Sequence, residues 1–201
     1  MNRKETLELL KDIIDEMSDV EFMSLQGLTL RSASRITREK LEEVNTKLKE
    51  DKINKIAIAY VDGSFNKDKK LCGSGIVLLD DEDHEKPITA VDFATDDKYN
   101  MWNIQGECEA CIDAIKQAID RGYNEIHIYH DYQGISSWVV RKDDGKREWK
   151  AKNDYTKGYV KRFDELNNKI KVEFVKVKSH SNNKWNDIAD KLARRSVSLG
   201  K

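Results

Sequence analysis

The spacing of apolar residues changes character near residue 55 of this 201-residue chain. Before that point apolar side chains recur every three or four positions, which predicts a helix carrying the stripe Leu7, Leu10, Ile13, Ile14 and Met17. Gly27 marks a break, and a second helix is expected to start near Thr37. Beyond residue 55, short apolar runs and alternating segments predict strands. We therefore divide the chain into a helical appendage over 1–51 and a main domain over 52–201.

The main domain begins with three predicted strands, "KIAIAYV", "GSGIVLLD" and "ITAVDFAT", whose short connections favour an antiparallel meander. A helix is expected within "NIQGECEACIDAIKQAIDRGY", ended by Gly122. The rest reads as the strand "EIHIYHD", a helix starting in "GISSWVV", a helix over 153–168, the strand "KVEFVKV" and the helix "NDIADKLARRSVSL". The order βββαβααβα predicts an α/β fold of mixed α+β type, with a five-stranded mixed sheet flanked by helices, three antiparallel strands preceding parallel crossovers.

Composition narrows the class of protein. Charged residues make up 36% of the chain, yet the net charge is −1, so no overall field indicates a nucleic-acid partner. No apolar run approaches the ~20 residues of a membrane span, and the acidic amphipathic N-terminus is unlike a signal peptide, which predicts a cytoplasmic protein without a membrane partner. The odd number of cysteines, three, predicts reduced thiols in the core.

Four acidic residues occupy informative positions. Asp62 ends or interrupts the first strand, Glu107 lies in the first turn of the first main-domain helix, Asp131 closes the fourth strand and Asp190 lies on the last helix. Asp62 has two explanations, a cap for a turn formed by Gly63 and the next residue, or a partner for a cation. Strand ends and the start of a crossover helix can converge, and carboxylates that meet must share protons or hold a cation. An all-carboxylate set favours Mg²⁺ or Mn²⁺ over zinc.

Four motifs, "YVDGSFN", "NIQGECEA", "IYHDYQGI" and "VKSHSNNKWNDIADKLA", resemble those of the type 1 (bacterial-like) ribonuclease H family over about residues 55–199. The resemblance implies a ribonuclease H-like fold and an endoribonuclease that hydrolyses the RNA strand of RNA:DNA hybrids. It also implies two Mg²⁺ ions, with Mn²⁺ as a substitute, and products with 5′-phosphate and 3′-hydroxyl ends. Carried over by position, the catalytic residues are the metal-binding acids Asp62, Glu107, Asp131 and Asp190 and the loop histidine His180. Glu109 would point about 200° away from Glu107 around the helix and is left outside, as is Asp187.

The resemblance also implies substrate-binding residues. Asn103 and Gln133 match positions that contact the minor groove of the hybrid, although each is equally explained as a polar turn or cap residue. The segment 141–162 holds nine basic and four acidic residues and falls where many family members carry a basic loop. Tyr155 and Tyr159 in this segment also suit sugar packing, whereas the alternative is a solvated pair of helices. The expected contacts here are Trp138, Lys142, Arg147, Trp149, Lys150 and Lys152.

The sequence also departs from the family. The segment "NKDKKLCGSG" replaces a glycine-rich run, Ile104 replaces a polar groove contact, and Tyr132 stands where serine is common. Residues 1–51 do not resemble the hybrid-binding domain of some members. Three roles stay open for them: packing on the main domain, pairing with another copy, or nucleic-acid binding through their arginines. The alternatives to an active enzyme are a nuclease of another substrate geometry, including a domain of retroelement origin, and a non-catalytic hybrid-binding module. The complete set of acids favours the enzyme, expected as a monomer.

Overall fold

The computed structural model describes residues 55–178 and 183–199. The predictions for the N-terminal appendage over 1–51 and for His180 lie outside the described residues. Among the helices described in these two ranges, none has the length and apolar character needed to cross a membrane.

The elements follow the predicted order βββαβααβα. The strands are β1 (Ile56–Asn66), β2 (Leu71–Asp80), β3 (Thr89–Asp96), β4 (Glu125–His130) and β5 (Lys171–Lys176). The helices are α1 (Asn103–Asp120), α2 (Gly134–Ser137), α3 (Asp154–Asn167) and α4 (Lys184–Leu199). The helix predicted to start in "GISSWVV" is therefore a single turn. Asn153 begins α3 by accepting a hydrogen bond from the Thr156 amide at 2.8 Å, a normal helix cap.

The five strands form one sheet in the order β3-β2-β1-β4-β5. The pairs β1–β2 and β2–β3 are antiparallel, whereas β1–β4 and β4–β5 are parallel. This topology confirms the predicted meander followed by parallel crossovers. It makes β1, the strand that carries Asp62, the central strand of the sheet.

Apolar side chains of β1 alternate between two cores. Ala57, Ala59 and Val61 belong to a large cluster that also contains residues of α1 and α3, whereas Ile58 and Tyr60 belong to a smaller cluster with residues of α4. Helices therefore cover both faces of the sheet, as the sequence pattern predicted. The predicted reduced core thiols are confirmed as free, buried cysteines at positions 72, 108 and 111.

Candidate active site

Asp62 lies within β1 rather than at its end. The strand continues to Asn66, with Asp62 opposite Gly75 of β2. The amide of Gly63 donates a hydrogen bond of 2.7 Å to Asp62 Oδ1, but residues 63 to 66 stay extended. The expectation that Asp62 ends the strand or caps a turn is wrong, because the strand pairing carries on past it. A half-buried carboxylate in the middle of a central strand needs another explanation.

Glycine at position 63 brings α1 against this part of β1. A Cβ atom there would collide with the carbonyl of Asn103 and with the backbone and side chain of Glu107, so only glycine permits this approach. Because α1 begins at Asn103, Glu107 lies in the second turn and not in the first, where the sequence had placed it. The close contact positions the buried Glu107 carboxylate beside Asp62.

Asp131 reaches the same place through the parallel pairing of β1 and β4. Tyr60 pairs with Tyr129, so Asp62 and Asp131, each two residues further along, lie level at the same end of adjacent strands. One carboxylate oxygen from each of Asp62, Glu107 and Asp131 lies within 4.8 Å of the others. The predicted convergence of these three acids is therefore present.

Asp190 approaches from the opposite face of the sheet on α4. Gly75, the partner of Asp62, faces the carbonyl of Ala189, and a Cβ at this glycine would collide with it. The Asp190 charge contributes to raising the pKa of Asp62, and Arg194 Nε donates a hydrogen bond to Asp190 Oδ1 at 2.8 Å. Asp190 is thus near the three-acid cluster, but it does not belong to the group whose carboxylate oxygens lie within 4.8 Å of one another.

Burial and neighbouring negative charge raise the pKa values of Asp62 and Glu107. Burial, followed by the charge of Asp131, raises the pKa of Asp62 to about 7. Burial, followed by the charges of Asp131 and Asp62, raises the pKa of Glu107 well above its ordinary value. Since the fold places acids together where each opposes ionisation of the next, a positive charge at the cluster would favour their ionised forms.

The donor set fits a divalent cation. Glu107 Oε2 is buried and accepts no hydrogen bond within the described part of the chain, although the backbone of Tyr132 bonds to the same carboxyl group. A buried carboxylate oxygen without a donor is costly unless a cation contacts it. Oxygen ligands from carboxylates alone suit Mg²⁺ or Mn²⁺.

A second acidic group on the sheet has a different explanation. Glu125, His127 and Glu173 also bring ligand atoms within 4.8 Å of one another on β4 and β5. Lys171 Nζ lies 3.1 Å from Glu125 Oε1 and 2.6 Å from Glu173 Oε1. The lysine already balances these two carboxylates, so their charge is compensated within the protein.

Glu109 points away from the cluster, as the helical geometry predicted. Arg162 of α3 donates two hydrogen bonds of 2.7 Å to its carboxylate, and the Tyr155 hydroxyl donates a third at 2.9 Å. Burial opposes ionisation of Glu109, but the bonds and charge of Arg162 outweigh it and lower the pKa. Glu109 therefore joins α1 to α3.

The two amide residues proposed for the minor groove lie near the acids. Asn103 is the exposed first residue of α1, and its carbonyl packs against Gly63. Gln133 precedes α2, and its Nε2 donates to Ser137 Oγ at 3.0 Å. Gln133 and Lys142 both line a surface cavity of about 290 Å³ that also includes Lys176.

The basic segment 141–162 is only partly a surface. An open groove of about 500 Å³ is lined by Trp138, Glu148, Trp149, Lys150 and Lys152. Trp138 is 9% exposed and packs edge-on against Trp149 with ring centroids 5.7 Å apart. Arg147 is held by Asp164 at 2.6 Å.

The expectation that Tyr155 and Tyr159 belong to a nucleic-acid surface is wrong. Both are buried, and their hydroxyls donate to the carbonyls of Gln105 and Ile135 at 3.1 and 2.9 Å. Their spacing of four residues places them on the same face of α3, which packs on the core. Arg162, from the same segment, is the partner of Glu109.

Sequence reasoning did not single out the two glycines that allow α1 and α4 to approach the sheet at the site. Gly63 follows Asp62 directly, and Gly75 lies inside a predicted strand. An isolated glycine in a strand signals close approach of another backbone, and this signal was present in the sequence. Which helix approaches each glycine required the tertiary structure.

The fold and the acid cluster define a class of protein, an α/β domain with a cluster of carboxylates at the centre of a mixed sheet. A family model described as RNase H matches residues 54–198. A protein named Ribonuclease H from Ruthia magnifica is 35% identical over 157 residues, 72% of this chain and 97% of the relative. Another of that name from Syntrophomonas wolfei is 31% identical over 154 residues, 71% of this chain and 97% of the relative. The chain belongs to the RNase H family.

Solved structures share this fold. RNase H1 from the archaeon Halobacterium salinarum matches with a TM-score of 0.58 and 21% identity, over 72% of this chain and 98% of that one. LC11-RNase H1 in complex with an RNA/DNA hybrid matches with a TM-score of 0.56 and 18% identity, over the same shares of the two chains. These structures confirm the predicted fold, and the family model with the two named relatives confirms the family identified from the four sequence motifs.

Proposed function

We propose that this protein is a metal-dependent endoribonuclease that hydrolyses the RNA strand of RNA:DNA hybrids and leaves 5′-phosphate and 3′-hydroxyl ends. The convergence of Asp62, Glu107 and Asp131 within 4.8 Å carries the proposal. Membership of the RNase H family and the names of its relatives support the reaction and the substrate. The hybrid bound to a structural relative supports the same class of nucleic acid.

Asp62, Glu107, Asp131 and Asp190 would hold two divalent cations, Mg²⁺ by preference and Mn²⁺ as a substitute. When bound, the cations would activate the attacking water and stabilise the leaving 3′ oxygen. The charges of both Asp131 and Asp190 act on Asp62 of the central strand, which supports a shared role for it. His180 stays a prediction from the family motif, with a role in proton transfer or product release.

The protein's own residues would position the hybrid. Asn103 and Gln133 offer amide groups suited to 2′-hydroxyls and base edges in a shallow minor groove. Lys150 and Lys152, which line the groove with Trp149, supply exposed positive charge for phosphates. Lys142, Arg147 and Trp138 complete the proposed set. Three further properties also stay predictions: the division of the chain into an appendage and a main domain at residue 51, a monomeric state and a cytoplasmic location.

The test is cleavage of an end-labelled RNA strand within an RNA:DNA hybrid, with Mg²⁺, with Mn²⁺ and with EDTA. Single-stranded RNA, duplex RNA and duplex DNA serve as alternative substrates. We expect cleavage confined to the hybrid, abolished by EDTA and reduced by orders of magnitude in Asp62→Asn, which should still bind the hybrid. Preferred cutting of another duplex would support a nuclease of different substrate geometry. Hybrid binding without cutting would support the non-catalytic module.

A further inference from the structure

The chain that follows α2 folds back against it. Arg141 and Arg147 pair as an isolated antiparallel bridge, which closes a short hairpin. Just beyond the hairpin, the Trp149 amide donates a hydrogen bond of 2.9 Å to the Ser137 carbonyl. This bond holds the neighbouring residue, Glu148, beside the side chain of Ser137.

Hydrogen bonds connect Glu148 to Gln133 through Ser137. Ser137 Oγ donates to Glu148 Oε2 at 2.9 Å, and Gln133 Nε2 donates to Ser137 Oγ at 3.0 Å. Nε2 also lies 3.4 Å from Ser136 Oγ, which donates its own hydrogen to the Gln133 carbonyl at 3.1 Å. Ser136 and Ser137 are 8% and 1% exposed, so the two hydroxyl groups are fixed inside the protein.

The direction of these bonds determines which end of the Gln133 amide faces outward. A hydroxyl group has one hydrogen to donate, whereas a carboxylate or a backbone carbonyl can only accept. The hydrogens of both serines are already donated, so each serine oxygen can only accept from the Gln133 side chain. The reversed amide would place its oxygen against two oxygens without a hydrogen to offer, which is unfavourable. The protein therefore holds Nε2 inward and Oε1 outward.

The outward oxygen lies at the end of the sheet that carries the acid cluster. Gln133 is half-buried and follows Asp131 by two residues. Within residues 55–178 and 183–199 its Oε1 accepts no hydrogen bond, and solvent reaches this atom because it is not one of the buried unpaired atoms of those residues. An oxygen of this kind can bind only a hydrogen-bond donor of a ligand.

The minor groove offers few donors to such an oxygen. The base edges of A·T and A·U pairs present only acceptors there, whereas a G·C pair adds the N2 amino group of guanine. Ribose 2′-hydroxyls also donate, but they occur at every nucleotide of an RNA strand and carry no information about sequence. A glutamine amide that turned freely would suit either base pair. Among base edges, an amide held with its oxygen outward gains a hydrogen bond only from guanine.

We propose that Glu148 and Ser137 fix the amide of Gln133 so that its Oε1 accepts a hydrogen bond from the amino group of guanine, which makes cleavage favour a G·C pair at the position that Gln133 contacts. This inference rests on the proposed function and assigns a sequence preference to it. Glu148 and Ser137 are positioning residues, because they act on the nucleic acid through Gln133.

The test varies the substrate in the full-length protein. One set of RNA:DNA hybrids carries inosine, which lacks the N2 amino group, in place of single guanines on either strand around the cleavage site. A second set carries 2,6-diaminopurine, which adds this group, in place of single adenines. The ratio of kcat/KM with and without the amino group, measured in Mg²⁺, reports the preference at each position.

Three variants interrupt the chain of bonds at different points. Gln133→Ala removes the amide, and Ser137→Ala removes the hydroxyl group that orients it. In Glu148→Gln the new amide can donate to Ser137 Oγ, which frees the serine hydrogen for Gln133 Oε1 and lets the Gln133 amide turn. Glu165→Gln makes the same chemical change at an exposed residue of α3 that takes no part in these bonds and serves as the control.

We expect the amino group to raise kcat/KM of wild type about fivefold at one position of the hybrid, the effect of one hydrogen bond. The ratio should fall toward one in all three variants and stay at the wild-type value in Glu165→Gln. Because Glu148 is exposed, Glu148→Gln tests the orientation even where the buried Ser137→Ala fails to fold.

Two results would overturn this inference alone: a wild-type enzyme that cuts hybrids without regard to the amino group at every position, or a preference that Glu148→Gln and Gln133→Ala retain in full. A wild-type protein that does not cut hybrids would overturn the proposed function and this inference with it.

Discussion

Replacing Asp62 by asparagine should stabilise the cation-free protein while abolishing its activity. The substitution removes a negative charge from a cluster in which burial and the Asp131 charge raise the pKa of Asp62 from 3.8 to about 7. Asparagine keeps an oxygen that can accept the 2.7 Å hydrogen bond from the Gly63 amide. The variant therefore loses the repulsion and retains the local geometry.

The size of the effect follows from the pKa shift. One pKa unit corresponds to about 1.4 kcal/mol, so the shift sets an upper limit of about 4 kcal/mol on the cost of ionising Asp62 in the folded protein. Water at the half-buried carboxylate screens its charge, and we expect a gain of about 1–3 kcal/mol in the free energy of unfolding.

The pH dependence has a defined sign. Because the pKa of Asp62 is raised on folding, the folded protein binds this proton more tightly than the unfolded chain does. The resulting stability is present below pH ~4 and is lost as pH rises toward the folded pKa of about 7. The advantage of Asp62→Asn should therefore be near zero at pH 4 and full at pH 8.

Urea unfolding in EDTA at pH 4, 6 and 8 measures this advantage, with Asp187→Asn on α4 as the control for loss of an aspartate outside the cluster. Mg²⁺ at pH 8 should then stabilise wild type more than Asp62→Asn, because a cation bound by the folded state shifts the unfolding equilibrium. A variant less stable than wild type at pH 8 in EDTA, or an advantage independent of pH, would refute the electrostatic reasoning.

Further substitutions test the supports of the site. Gly75→Ala should cost about 1–3 kcal/mol of unfolding free energy and lower hybrid cleavage, because its Cβ collides with the Ala189 carbonyl and displaces α4. Gly158→Ala on α3, where a Cβ meets no atom within 4 Å, should instead add about 0.4–1 kcal/mol in the same urea titration and leave cleavage intact. Glu107→Gln should abolish Mg²⁺-dependent cleavage. Glu109→Gln should keep the catalytic site and lower the stability of the protein. Equal cleavage by the two variants would contradict their separate roles. Since the pKa of Glu109 is lowered on folding, its contribution is present above the unfolded pKa of ~4.3 and lost as pH falls through the folded pKa, so stability profiles of wild type and Glu109→Gln should converge in acid.

The sequence by itself determined the order of the elements and the class of the site. Alternation in β1 and the three-to-four spacing in α1 depend only on local geometry, which each short segment carries in its own letters. The four motifs that contain the acids could also be recognised from the sequence, because a pattern such as an aspartate after an apolar run does not depend on knowing the fold. The family followed from their order and spacing.

The tertiary structure decided what the sequence pattern left open. Tyr155 and Tyr159 looked like surface aromatics in a basic segment, but the packing of α3 on the core buries them. The positive φ of Trp102, 55°, likewise has no signature in the sequence.

The geometry of the acids also depended on contacts between distant segments. Gly63 of β1 and Gly75 of β2 let α1 and α4 approach the sheet from opposite faces, and the parallel pairing of β4 brings Asp131 level with Asp62. Local sequence fixes whether a residue lies in a strand or a helix, whereas the distance between carboxylates far apart in the chain depends on how those elements pack. The physical reason is that close packing and charge repulsion act between atoms in space, irrespective of their separation along the chain.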